Sequence, residues 1–446
     1  MRARRRGRTY AGAAGALAVL LLASGCGGGG SGHGGAGATP SSGFVAATPA
    51  DPSVKSYNPP LRFGRVPVAL PLPPASGAVA LVGVDAYVAD GDSLRVVDTR
   101  TGKVLATVDA KDPLPGAVSG AGSVRAPLVA AVGDSTLSLV LDAFLVTVPA
   151  KGSTPAGTGV ELVAVDTSTR QAVWTAQVTD IPAWASGQDT DHDAAADGLA
   201  VGVVGFHGNT AVVSLTDRDH VGVGFGIDLM SHRTVWHKDG FAADAVTDDA
   251  VVGTAARNPS VDQAGAERSV LGLALSDGSQ KWKELDTGPE VAIGAAGPGQ
   301  VTVVGGSYNG ATGFSYLVDA DSGKQTALPN AGQNLAGCRY DGAAMLVCQG
   351  QDSSGNHLYG LDASTGKQHW QLPDPAAGST GPVPALTALW HGAAYGTTSS
   401  GPVVLDTRTG ADRGAAPGVA PVMLDGSVGL ARPAGGSPLA AYPAVG

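Results

Sequence analysis

Residues 357–370 read HLYGLDASTGKQHW. A short apolar strand ends on Asp362, a Ser-Thr-Gly corner follows, and a tryptophan stands eight residues past the aspartate. Related stretches recur around Asp98, Asp166, Asp228, Ala274, Asp319 and Asp406. The residue before each anchor is aliphatic, and the residue three places after it is Ser, Thr or Asp. The fourth place is Gly in five copies, with Arg170 and His232 as the exceptions, and the eighth is Trp174, Trp236, Trp282 and Trp370 in four.

This chemistry is that of a turn. An Asp carboxylate accepts hydrogen bonds from the backbone N–H groups ahead of it, Ser and Thr do so more weakly, and Gly supplies a left-handed conformation. The stretch VGVGFGID places Val221, Val223, Phe225 and Ile227 on one face of a strand. Asp98, Asp166, Asp228, Asp319, Asp362 and Asp406 therefore read as corner-formers and not as catalysts. Each Trp follows the corner, where its ring, burying roughly 150–250 Å², covers the edge of a neighbouring unit.

The anchors are 68, 62, 46, 45, 43 and 44 residues apart. The last four spacings match a propeller blade of four short strands, and the first two leave room for inserted loops. The pattern resembles the A-x-D-x-x-T-G-K-x-x-W repeat of the pyrroloquinoline-quinone-type (quinoprotein-like) β-propellers. It is best at Asp362–Trp370 and poorest at Asp406, where Gly414 takes the Trp place. The expected fold is all-β: an eight-bladed propeller, with seven blades as the alternative, built of four-stranded antiparallel blades. In the eight-bladed form, apolar runs after residue 418 join the run 61–70, placing Leu61 and Tyr442 in one sheet and removing both exposed sheet edges.

The N-terminus predicts the compartment. Five arginines precede an apolar stretch, 11–23, and LASGC at 22–26 resembles a bacterial lipobox. Residues 1–25 are read as a lipoprotein signal peptide, Cys26 as the acylated residue, 26–60 as a flexible Gly/Ser/Pro/Ala-rich tether and 61–446 as the propeller. Such a tether spans roughly 30–35 Å. The expected location is the outer face of the bacterial cytoplasmic membrane, held by the lipid alone. Removing the leader leaves 23 basic residues against 38 acidic. That balance argues against nucleic acid and against electrostatic docking on anionic lipid.

Cys338 and Cys348 remain as an even pair in an oxidising compartment. A two-residue turn between them puts the cysteines on opposite faces; a three- or five-residue turn lets them bond. Both a disulfide and two buried thiols stay open. The stretch DTDHDAAAD spaces Asp189, Asp191, Asp193 and Asp197 as in a calcium loop, although Ala194 stands where such loops turn on Gly. Calcium is thus the one candidate ligand with a sequence pattern, and no other cofactor is expected. Protease, hydrolase and nucleotide-binding motifs are absent. The quinone-dependent dehydrogenases with similar repeats use adjacent cysteines, which this chain lacks.

The reading is of a monomeric, non-enzymatic scaffold for a protein or cell-surface glycan, similar in architecture to the propeller lipoproteins of the outer-membrane protein assembly machine. A quinone-type dehydrogenase, or another enzyme with its site in the central channel, is the alternative. The candidate binding loops are 112–126, 149–159 and 180–198.

Overall fold

Eight antiparallel sheets follow one another along the chain and close into a ring. The computed structural model describes residues 55–72, 78–114, 125–131, 138–153, 155–186, 199–217, 222–256, 268–282, 285–287, 290–306, 313–329, 334–352, 355–374, 382–433 and 438–446. The leader, Cys26 and the four aspartates at 189–197 lie outside them. Blade 1 comprises Val79–Val82, Asp85–Ala89, Ser93–Asp98 and Val104–Asp109. Blade 2 comprises Leu128–Ala131, Ser138–Val148, Gly157–Asp166 and Gln171–Val178; blade 3 comprises Ala200–His207, Thr210–Thr216, Gly222–Asp228 and Arg233–Asp239. Blades 4, 5, 6 and 7 occupy 241–287, 290–327, 334–372 and 385–406. The first strand of each blade is innermost, and strands within a blade pair in chain order.

The recurring aspartates close the corners between third and fourth strands. The Asp362 carboxylate accepts the backbone N–H groups of Ser364 at 3.1 Å and Thr365 at 2.9 Å. It also accepts both their hydroxyls. These hydroxyl bonds lead in holding its pKa down at about 2. Asp98, Asp166, Asp228, Asp319 and Asp406 accept corner amides in the same way. In blade 4, where Ala274 stands at the anchor, Asp277 accepts the Ser279 N–H instead.

The tryptophans join each blade to the next. The indole N–H of Trp236 donates to the Leu275 carbonyl at 2.7 Å, that of Trp282 to Ala320 at 2.8 Å and that of Trp370 to Thr407 at 2.7 Å. Each ring rests between a glycine of its own third strand and the corner glycine of the next blade. A Cβ on Gly226 would stand 2.1 Å from Trp236 Nε1, and one on Gly278, whose φ is +70°, 2.9 Å from the same ring.

The two corner exceptions are also accounted for. His232, at φ 58°, stacks on Trp174 with ring centroids 4.5 Å apart. Blade 1 carries Ala106 in the Trp place, and there Arg170 of the blade 2 corner reaches back to Asp85 at 2.7 Å.

Blade 8 is shared by the two ends of the chain. Met423–Leu424, Val428–Ala431 and Ala440–Pro443 are completed by Val68–Ala69, with Val68 opposite Ala441. Eight blades are therefore present, with two refinements. The closing strand is Val68–Ala69, while Leu61 lies beyond the sheet and donates its N–H to Gly446. Blade 7 has three strands, with the isolated bridge Leu405–Asp412 where a fourth would start. In blade 6, Tyr340 pairs with Leu346 across a five-residue turn, so Cys338 and Cys348 face each other and are disulfide-bonded.

Candidate binding face

In a sheet whose consecutive strands are antiparallel neighbours, successive connections alternate between its two ends. Turns between first and second strands, and the Asp corners, therefore all lie on one side of the ring, here called the lower face. Turns between second and third strands, and the links between blades, lie on the upper face. Lower first-to-second turns are short: 83–84, 208–209, 247–249, 298–299 and 391–392. Five long connections, 110–127, 149–156, 179–199, 257–267 and 373–384, start and end at the upper face, while 275–284 and 407–422 start at lower corners. Topology thus brings the three insertions picked from sequence to one side. Long loops on a rigid frame are where propellers carry recognition.

Blade 2 extends this face. Its second and third strands pair from Leu139–Asp166 to Val148–Gly157, whereas the inner strand pairs only as far as Leu141. The insertion expected at 149–159 is thus partly strand, and its tip is 149–156. The link from blade 1 occupies the inner position that Leu128–Ala131 leaves empty. Leu114 N–H donates to Leu145 at 3.0 Å, Thr147 N–H to Asp112 at 2.7 Å, and Lys111 N–H to the Glu161 carboxylate at 2.8 Å. The projecting hairpin is braced from both sides, so its tip is presented on a stiff support.

Two carboxyls near this face have altered acidity. Asp142 points into the seam between blades 1 and 2, the side shared by Val140, Phe144 and Val163. One carboxyl oxygen accepts the Ala143 N–H at 2.9 Å and the other, buried, has no hydrogen-bond partner. Burial pushes its pKa to about 8. Asp244 stands at a bulge between Ala243 and Ala245 in the inner strand of blade 4. Burial raises it to about 6 against the opposing pull of Arg125 and Arg268. The Arg125 side chain lies against Gly202 of blade 3, where a Cβ would come within 2.4 Å of it. Two guanidiniums from separate parts of the chain thus act on one buried carboxyl. Sequence reasoning missed it, because 125, 244 and 268 share no local pattern.

The predicted site residues divide in three. The anchor aspartates and tryptophans are structural joints, and Cys338–Cys348 is a cross-strand bond. Asp189, Asp191, Asp193 and Asp197 fall within the upper connection 179–199 but lie outside the described residues, as does Cys26. Among the described residues no three His, Cys, Asp or Glu side chains gather as a metal site.

No protein family matches the chain, and no curated protein matches it by sequence. Several solved structures are similar in shape. The C-terminal WD40 domain of Sif2 is 10% identical, with a TM-score of 0.42, over 88% of this chain and 99% of that one. Dihydro-heme d1 dehydrogenase NirN is 14% identical, TM-score 0.41, over 85% and 76%. Hydrazine synthase of Kuenenia stuttgartiensis is 15% identical, TM-score 0.35, over 72% and 81%. Two of these three are named as enzymes. This corrects the expectation that the chain is not an enzyme: likeness in fold gives no ground for excluding catalysis, and neither does the lack of a local motif.

Proposed function

We propose that this chain is a lipid-anchored propeller outside the cytoplasm, whose upper face binds a protein or cell-surface ligand. The observation that carries this reading is the gathering of the long connections on one face, around the braced hairpin of blade 2. The lipobox-like LASGC at 22–26 and the repeat's resemblance to the quinoprotein-like propeller lipoproteins support the anchor and the class.

The test places a photo-crosslinking amino acid at Lys151 or Ala156 on the hairpin tip, and at Thr365 in a lower corner, in the producing cell. Discrete adducts from the tip positions and none from Thr365 are expected. Equal labelling from both faces would remove the upper face as the binding surface. Incorporation of labelled fatty acid into the parent chain but not into Cys26→Ser checks the anchor separately.

A further inference from the structure

Among the described residues, the large apolar side chains left exposed are Val66, Val104, Leu105, Val173, Met230, Val235 and Val445. Scattered singly these would be unremarkable. They are not scattered. Val66 and Val445 flank the entry to blade 8, Val104 and Leu105 start the outer strand of blade 1, Val173 lies at the start of that of blade 2, and Met230 and Val235 flank that of blade 3. All seven lie at the lower end of four consecutive blades.

Leu105, Val173 and Val235 share one structural position. Each is the bulged residue of its outer strand, skipped between Val104 and Ala106, Ala172 and Trp174, or Thr234 and Trp236 in the pairing. A bulge frees a residue from the ladder and turns it outward. At the same distance from the corner, blades 4, 5 and 6 carry Lys281, Thr326 and His369. Three apolar choices in a row and three polar ones after them make a one-sided stripe.

Two further observations name the occupant. The described chain begins on this side. Tyr57 N–H donates to Gly426 and the Tyr395 hydroxyl to the Pro60 carbonyl, both on the lower side of blades 8 and 7, and Asn58 meets His391 there. The tether read at 26–60 therefore joins the propeller on this side. The local charge is basic: Arg65, Lys103 and Arg233 are exposed beside the stripe. The corner aspartates of blades 1, 2 and 3 are turned into their own turns. Of the described acidic side chains on the lower side of blades 8, 1, 2 and 3, Asp85, Asp98 and Asp425 are buried, and Asp166 and Asp228 are only partly exposed.

We infer that the lower side of blades 8, 1, 2 and 3 rests on the membrane surface, valines and Leu105 toward the interface and cations toward anionic headgroups. The upper face then points away from the bilayer. An apolar stripe flanked by cations is the chemistry of an interfacial contact, and the tether supplies the local concentration that lets a weak contact be occupied. This deepens the anchored reading above, and its test does not depend on acylation.

The chain from Cys26 onward, which keeps every described residue, is coupled through Cys26 to maleimide-headgroup lipid. The vesicles contain equal parts phosphatidylcholine and phosphatidylglycerol, and Cys338 and Cys348 are already bonded. Backbone hydrogen exchange is compared with that of the uncoupled chain. Peptides covering 103–108, 171–176 and 229–236 should exchange about threefold more slowly or better when coupled, with 149–153 and the corner at 362–368 unchanged. The triple variant Leu105→Glu, Val173→Glu, Val235→Glu changes only exposed side chains, so it should melt like the parent and lose the protection. Uniform slowing, slowing at blades 4–6 instead, or protection that survives the triple variant would each overturn the inference. So would the same protection in uncoupled chain at high concentration, which would make a second copy the occupant.

Discussion

Asp142 lies on the side of its strand that carries Val140 and Phe144, in the seam between blades 1 and 2. Its carboxyl is buried in an apolar seam with one oxygen unpaired, so the neutral form is favoured and the pKa rises to about 8. An unfolded chain would lose that proton near the ordinary value of 3.8. Because the folded state holds the proton more tightly, the stabilising effect is complete below about pH 4 and is lost as pH climbs towards 8. Asp244 and Asp425 add the same trend only up to about 6. Between pH 6 and 8, Asp142 continues the trend. Asp142→Asn keeps the shape and removes the titration. Its melting temperature should be flatter than the parent's over that window and should exceed it at pH 8.5. A parallel fall in both proteins would show that the carboxyl is already ionised.

At the scale of the element, the tryptophans and glycines form one device. A Trp eight residues past the anchor occurs only where a small residue stands two before it: Ala164, Gly226, Gly272 and Gly360. Where the earlier residue is Val96, Leu317 or Val404, the later one is Ala106, Ala327 or Gly414. The ring needs the space, since it lies flat over that strand on its way to the next blade. Trp282→Ala should therefore cost about 3–5 kcal/mol. Gly272→Val should cost a comparable amount by overlap with the same ring, and the two losses should not add, because they remove one contact. Melting of the single and double variants measures this, and additive losses would mean that the two sites act independently. The correlation was legible in the sequence, as were the corners, since both are local spacings. Arg170 and His232 were legible only as departures. What they do depends on Asp85 and Trp174 of the preceding blade, and no spacing in one repeat reports that.

The whole molecule hides what its net charge suggests. An excess of acidic residues argued against an anionic surface, yet many of those carboxylates are engaged in corners while Arg65, Lys103 and Arg233 share a side with the apolar stripe. Topology sorts residues by face, and composition cannot. The same topology makes the chain ends interdependent. Phe63, almost fully buried, packs edge-on to Tyr395 between blades 7 and 8, and Val68–Ala69 covers the open edge of Ala440–Pro443. A chain beginning at Leu72 loses both. Phe63→Ala removes only the packing, at about 3–5 kcal/mol. The truncated chain should be less stable than that variant, because an uncovered strand is also left to pair with other chains. Size-exclusion chromatography should then show association in the truncated chain and a single monomer peak for Phe63→Ala. If the truncated chain melts with the intact protein and stays monomeric, the ring is held by its seams alone and the N-terminal strand is dispensable to closure.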